Sequence, residues 1–248
     1  MLKKIAIFYL LIIILISLTF SFFFASFNLQ TDYLKGVNET FRHTFIKNFT
    51  LRHLFKLNQP GDAKSDYYNA KPFSKLKVEI YNSSFGTLYT STEDLIKNNG
   101  FGQVVKKPSG VTINERNLND VPSDVDSHYL DNLAKSVPKY TKDTAILRIY
   151  ILSKYAPHQT FLGMTIGAYA FAIFKSSIEE GSESDQIRQD SEWSTILHEM
   201  GHLLGIGHIG YENCVMKGII DVPNSGAVSL ISTEYCYDEI QAIKKANY

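Results

Sequence analysis

Residues 198–208 read His-Glu-Met-Gly-His-Leu-Leu-Gly-Ile-Gly-His. No other stretch restricts the fold of this chain as tightly. His198 and His202 are four apart, so on a helix both imidazoles leave the same face one turn apart. Two such nitrogens can meet one zinc ion at ~2.0–2.1 Å. Glu199 sits beside them, within reach of a water on that ion. The flanking residues specify the helix, with Ser191 as a candidate N-cap and Trp193, Ile196, Leu197, Met200, Leu203 and Leu204 as its core face. Gly205 tolerates left-handed backbone and lets the chain turn sharply, so His208 can return as a third ligand. Three protein ligands leave the fourth tetrahedral position open, the mark of a catalytic rather than a structural site. The chain holds 7 histidines and three of them fall here, so the pattern is not a by-product of histidine-rich composition. The competing readings are a core helix with locally bonded histidines and a remnant that no longer binds metal.

The remaining 237 residues divide unevenly. Lys+Arg and Asp+Glu balance at 25 each, a poor electrostatic match for a phosphate backbone, so nucleic acid is not an expected partner. Two cysteines exclude a disulfide-built scaffold. The hydrophobic residues crowd into the N-terminus, where no charge occurs from Ile5 to Thr31. A bilayer core of ~30 Å needs about 20 helical residues. Residues 1–29 therefore read as a signal-anchor or transmembrane segment, with the lipid bilayer as partner through residues 5–29. Lys3 and Lys4 place the N-terminus in the cytosol and the rest outside. A cleaved signal with a secreted product is the alternative, although Phe23 and Phe24 make poor −3 residues.

Residues 30–73 read as a juxtamembrane amphipathic region and linker or as a pro-segment. Leu34, Val37, Phe41, Phe45 and Phe49 recur at helical spacing, and residues 60–66 read as turn and linker. Residues 74–248 carry the globular domain. Leu76–Tyr81, a short run at Val111–Ile113 and Ala145–Ser153 read as strands, and Phe161–Phe174 as glycine-broken strands. Ser91 or Thr92 starts a helix ending near Gly100, Ser127–Val137 is helical, and Gly181–Asp190 is a polar loop. The class is α+β or α/β. Three sequons, at Asn38, Asn48 and Asn82, against roughly two expected by chance are weak evidence for glycosylation.

The sequence His-Glu-x-x-His-x-x-Gly-x-x-His resembles the zinc motif of the metzincin metalloproteases. Cys214-Val215-Met216 follows, with Met216 where that family has a methionine in a tight turn under the metal. The spacing from His208 is similar to matrixins, and the Cys-x-Met form to archaemetzincins. The resemblance implies an α+β, metzincin-like domain: a twisted mixed sheet with an active-site helix and a C-terminal helix, here behind an N-terminal transmembrane helix. It implies one catalytic Zn2+ on His198, His202 and His208, Glu199 as catalytic base, and Met216 as a structural floor. It also implies a substrate lying extended beside an edge strand within Gly163–Phe174, with Lys217–Val222 walling a pocket. Four cysteines near the archaemetzincin site are reduced here to Cys214 and Cys236, with Ile209 at the first place, so a second zinc is not expected. In an oxidising compartment the two are a candidate disulfide closing the loop after the methionine turn, with a pair of buried thiols as the alternative.

The function implied is a zinc-dependent peptidase, an endopeptidase acting on extended peptides or proteins outside the membrane. The alternatives are an aminopeptidase or narrow peptide-processing enzyme, and a non-catalytic membrane-tethered binding protein on the same fold.

Overall fold

The computed structural model describes residues 2–26, 45–46, 49–54, 57–89, 92–93, 96, 105–136, 140–181, 184–210, 214–218 and 231–245. Two compact units divide at Leu57/Asn58. The first holds helices α1 (Leu2–Ser26) and α2 (Phe49–Leu54). Among the described residues no helix is long and apolar enough to cross a membrane, so the signal-anchor expected over residues 5–29 finds no support there. Of the amphipathic region and linker expected over 30–73, residues 30–44, 47–48 and 55–56 lie outside the described residues.

In the second unit the first element is α3 (Lys64–Tyr68), followed by β1 (Lys75–Asn82), β2 (Val111–Asn117), β3 (Asp124–Val125), α4 (Ser127–Lys135), β4 (Thr144–Leu152) and β5 (Lys154–Tyr155). Next come β6 (Gly163–Thr165), β7 (Ala170–Phe174), α5 (Lys175–Glu180), α6 (Asp185–Leu203) and α7 (Tyr237–Lys245). Five strands form a mixed sheet in the order β2-β1-β4-β7-β6, and β6 alone runs antiparallel. β3 and β5 make a separate parallel pair. The α+β expectation thus meets a mixed sheet with helices. The run from Phe161 to Phe174 resolves into a hairpin, β6 and β7, turned at Gly167 with φ +87°.

Side-chain alternation sorts the core into two layers. Ala170, Ala172 and Phe174 of β7 share one face with Tyr150 and Leu152 of β4, covered by Leu130 of α4. Phe171 and Ile173 point to the other face and are fully buried, as are Leu76, Val78 and Ile80. Helix α6 packs on that side against β6 and β7. β1 and β4 are buried because parallel strands in the middle of a sheet are covered on both faces.

The expected turn and linker over residues 60–66 is part of this unit. Asn58 clips the hairpin: its Oδ1 accepts from the Ala168 N–H at 2.8 Å and its Nδ2 donates to the Ala134 carbonyl at 3.1 Å. Gly61, with φ +88°, lies against Gly205, where an added Cβ would come within 3.0 Å of the Gly205 Cα. Tyr67 is fully buried and donates to the Ala168 carbonyl at 3.1 Å. Lys64 Nζ donates to the Ile243 carbonyl of α7. Lys107 Nζ donates to the carbonyls of Asp66, Asn69 and Phe73, which uses all three of its N–H bonds. The segment is therefore a strap over the hairpin and the end of α6. Turn-forming residues disguise it as a linker.

Two further expectations change. The polar stretch before Ser191 is helical, because Ser184 caps α6 by accepting from the Ile187 N–H at 3.2 Å. Gln186–Asp190 and Arg188–Asp185 side-chain pairs support the added turns. Ser191 sits inside the helix, fully buried. Asp126 caps α4 by accepting from the Tyr129 N–H at 2.8 Å. The expected helix at 91–100 falls mostly on residues outside those described. Asn82 is buried, its Nδ2 donating to Glu115 at 2.9 Å, so that sequon is closed.

Candidate metal centre

Helix α6 presents His198 and His202 at its C-terminal end, and its end is shaped by a Schellman turn. The Gly205 N–H donates to the His202 carbonyl at 3.0 Å and the Ile206 N–H to the Gly201 carbonyl at 3.1 Å. Gly205 has φ +80°, the left-handed conformation such a turn requires. The turn aims the Ile206 carbonyl back at His202, whose Nδ1 lies 3.0 Å away. His198 Nδ1 lies 2.8 Å from the Val215 carbonyl. A carbonyl only accepts, so both Nδ1 atoms carry the proton and both Nε2 atoms are bare.

His208 closes the group. Its Nε2 is 3.2 Å from the Nε2 of His198 and 3.2 Å from that of His202. All three ligand atoms lie within 4.8 Å of one another, a set that could hold a metal ion. Two nitrogens on a tetrahedral ion at ~2.0–2.1 Å would be about 3.3 Å apart, so the spacing fits such an ion. With the Nε2 atoms of His198 and His202 bare, His208 can offer one proton to two close contacts. The other contact sets lone pair against lone pair, which a cation between them relieves. Burial pulls the His198 pKa down to about 4, opposed by its bond to Val215 and helped by the neighbouring His202 and His208. Burial also lowers His202. Both imidazoles are therefore neutral at physiological pH, the form a metal needs.

Glu199 lies on the sheet-facing side of α6. It is buried, and burial raises its pKa to about 7. The Thr165 hydroxyl, 2.7 Å from Glu199 Oε2, opposes that rise by bonding the charged form. Helix and edge strand approach closely here because residue 163 is glycine. A Cβ on Gly163 would meet Thr195 Cγ2 at 2.5 Å and Glu199 Cγ at 3.0 Å.

Below the helix, Met216 is fully buried against Gly201, where a Cβ would stand 2.2 Å from the Met216 Sδ. The Ile209 N–H donates to the Met216 carbonyl at 2.9 Å, so the segment after His208 is tied to the same turn. Cys214 and Cys236 form a disulfide spanning 22 positions. On the far side of that bridge, the Tyr235 hydroxyl donates to the Leu197 carbonyl at 2.6 Å and Trp193 Nε1 to the Thr233 carbonyl at 2.8 Å. The structure thus gathers His198, His202 and His208 at one point. Glu199 and Met216 stand beside and beneath them, and Cys214 and Cys236 lie behind. Of the expected pocket wall, residues 219–222 lie outside the described residues.

Sequence reasoning did not single out Gly163, Thr165, Gly201 or Glu239. Gly201 carried a signal, since a glycine inside a helical pattern costs about 1 kcal/mol and needs a packing reason. Thr165 carried none, because its partner lies on another element.

No family model matches the chain, and no curated protein matches it. Among solved structures, the chain is similar to the crystal structure of archaemetzincin from Methanopyrus kandleri, at 17% identity and a TM-score of 0.48. That likeness covers 71% of this chain and 98% of the other. The chemistry therefore rests on the residues of this chain.

Replacing Gly201 by alanine opposes two effects. Helix propensity would gain about 1 kcal/mol, while overpacking against a buried side chain costs about 1–3 kcal/mol. Met216 is tied through its carbonyl and cannot retreat freely, so overpacking wins. Urea unfolding of the Gly201→Ala protein, disulfide intact, should show a net loss of stability. A gain of about 1 kcal/mol would mean that the Met216 seat is soft.

Proposed function

We propose that this chain is a zinc-dependent endopeptidase of the metzincin kind, with Glu199 as general base and His198, His202 and His208 as the zinc ligands. The observation that carries the reading is the convergence of three imidazole nitrogens, two of them bare, beside a buried carboxyl at an open sheet edge. Bound zinc would polarise both the scissile carbonyl and the attacking water. Glu199 Oε2 is held by Thr165, which leaves Oε1 to accept a proton from that water. As the water oxygen bonds the carbonyl carbon and the C–N bond breaks, Glu199 returns the proton to the leaving amine.

Substrate positioning is supported by β6. The Ile166 N–H and the Leu162 carbonyl bond to β7, so by antiparallel alternation the backbone groups of Gly163 and Thr165 face the outer edge. An extended peptide can add there as a further strand beside Glu199, recognised by its backbone rather than its side chains. Pairing along a chain with residues on both sides of the cut favours endopeptidase over aminopeptidase action.

The zinc-loaded chain should hydrolyse a denatured protein at internal bonds, and Glu199→Ala should lower kcat by about 10²–10⁴-fold. One zinc per chain should remain in that variant. Equal activity in Glu199→Ala, or turnover without metal, would contradict the proposal, and cleavage of free-amine peptides alone would select the aminopeptidase reading.

An extracytoplasmic location belongs to the same proposal, and the Cys214–Cys236 disulfide supports it, since such bridges persist in oxidising compartments. Alkylation of free thiols in intact cells should leave both cysteines unmodified. Sequencing the mature N-terminus then separates an anchored from a released protein. Two modified thiols would place the domain in a reducing compartment.

A further inference from the structure

We infer that Glu239 is a positioning residue for the metal centre, acting on His198 through a single peptide group. The inference rests on the reading that the three histidines bind zinc.

Glu239 lies in the first turn of α7 and is almost wholly buried. Its Oε2 accepts from the Cys236 N–H at 2.7 Å. That bond is the ordinary reach-back of a third helical residue to its N-cap. Its Oε1 makes a second bond that capping does not explain, accepting from the Met216 N–H at 2.5 Å. Met216 N–H and Val215 C=O are the two ends of one planar amide. The same Val215 carbonyl accepts the Nδ1 proton of His198 at 2.8 Å. Carboxylate, amide and imidazole are thus joined in series, with every donor pointing towards Glu239.

Such a series is cooperative. An acceptor on the amide N–H draws electrons towards the carbonyl oxygen and strengthens it as an acceptor, by roughly 10–30% per bond. A stronger acceptor at Nδ1–H makes the opposite nitrogen, Nε2, a better donor to a metal and fixes the tautomer that leaves it bare. A carboxylate bonded directly to a ligating histidine does the same work over one bond. Here a peptide unit is interposed. The disulfide keeps the series in register, because Cys214 immediately precedes Val215 and Cys236 supplies the N–H that fixes the other carboxylate oxygen.

Glu239→Gln keeps the shape but offers one oxygen to two N–H donors. In the full chain it should weaken zinc binding about 10-fold in competition with a chelating dye, with one zinc still bound at saturation. Nitrogen-15 NMR of the metal-free protein supplies a readout that loose packing alone would not give. The His198 Nδ1 proton should move upfield in the variant as its bond weakens, while the His202 Nδ1 proton, bonded to Ile206, stays in place. Should the variant fail to fold, the wild-type protein still decides: zinc loading should shift the Met216 amide proton downfield, and an unmoved signal overturns the inference. Zinc affinity within twofold of wild type with an unchanged His198 signal overturns the role of Glu239 alone. A wild-type chain that binds no zinc overturns the metal reading beneath it.

Discussion

Two imidazole nitrogens stripped of their protons and held against a third at 3.2 Å are the constraint on which the rest of this domain depends. Nothing about such a cluster is self-stabilising. Each ring must be pinned from behind, and backbone carbonyls do it for His198 and His202. Those carbonyls must in turn be fixed. The Ile206 carbonyl is set by the Schellman turn at Gly205, and the Val215 carbonyl by the turn that carries Met216. The domain thus holds both rings with main-chain groups, whose positions are set by packing, by the disulfide and by the buried Glu239 carboxyl.

The surrounding devices follow from that. Gly201 lets Met216 seat directly under the helix, and Gly163 lets the edge strand approach Glu199. The strap from Asn58 to Tyr68 ties the hairpin to the end of α6 and to α7. Glycines at these contacts carry no chemistry of their own. They set the distance between the carboxyl, the imidazoles and the strand that a substrate would extend. The buried Lys175–Glu192 pair, at 2.6 Å, anchors the earlier part of the same helix to the start of α5, directly after β7. Glu192 also accepts from the Tyr89 N–H, so a distant loop is attached at the same point.

Much of this was legible in the sequence where the information is local. A histidine pair four apart, a glycine after the last helical turn and the apolar run of β4 each report on their own neighbourhood, and the structure has the helix, the left-handed Gly205 and the strand there. Where the partner lies far along the chain, the sequence was silent or misleading. Ser191 resembles a cap because an apolar pattern starts beside it, yet side-chain pairs on the polar residues before it carry the helix back to Ser184. Residues 60–66 have turn composition, but the buried ring of Tyr67 and the lysine bonds to carbonyls make them part of the fold. Glu239 reads as an ordinary first-turn acid, and its bond to Met216 reaches back 23 positions. The apolar N-terminal run matched a membrane span in length, but among the described residues no helix is long and apolar enough to cross a membrane.

The central claim is that three imidazoles and no sulfur hold one ion, and X-ray absorption at the zinc edge of the zinc-loaded chain tests it most directly. The account predicts three imidazole nitrogens at about 2.0–2.1 Å with one further light atom completing the shell. A sulfur shell near ~2.3 Å, or fewer than three imidazoles, would contradict it.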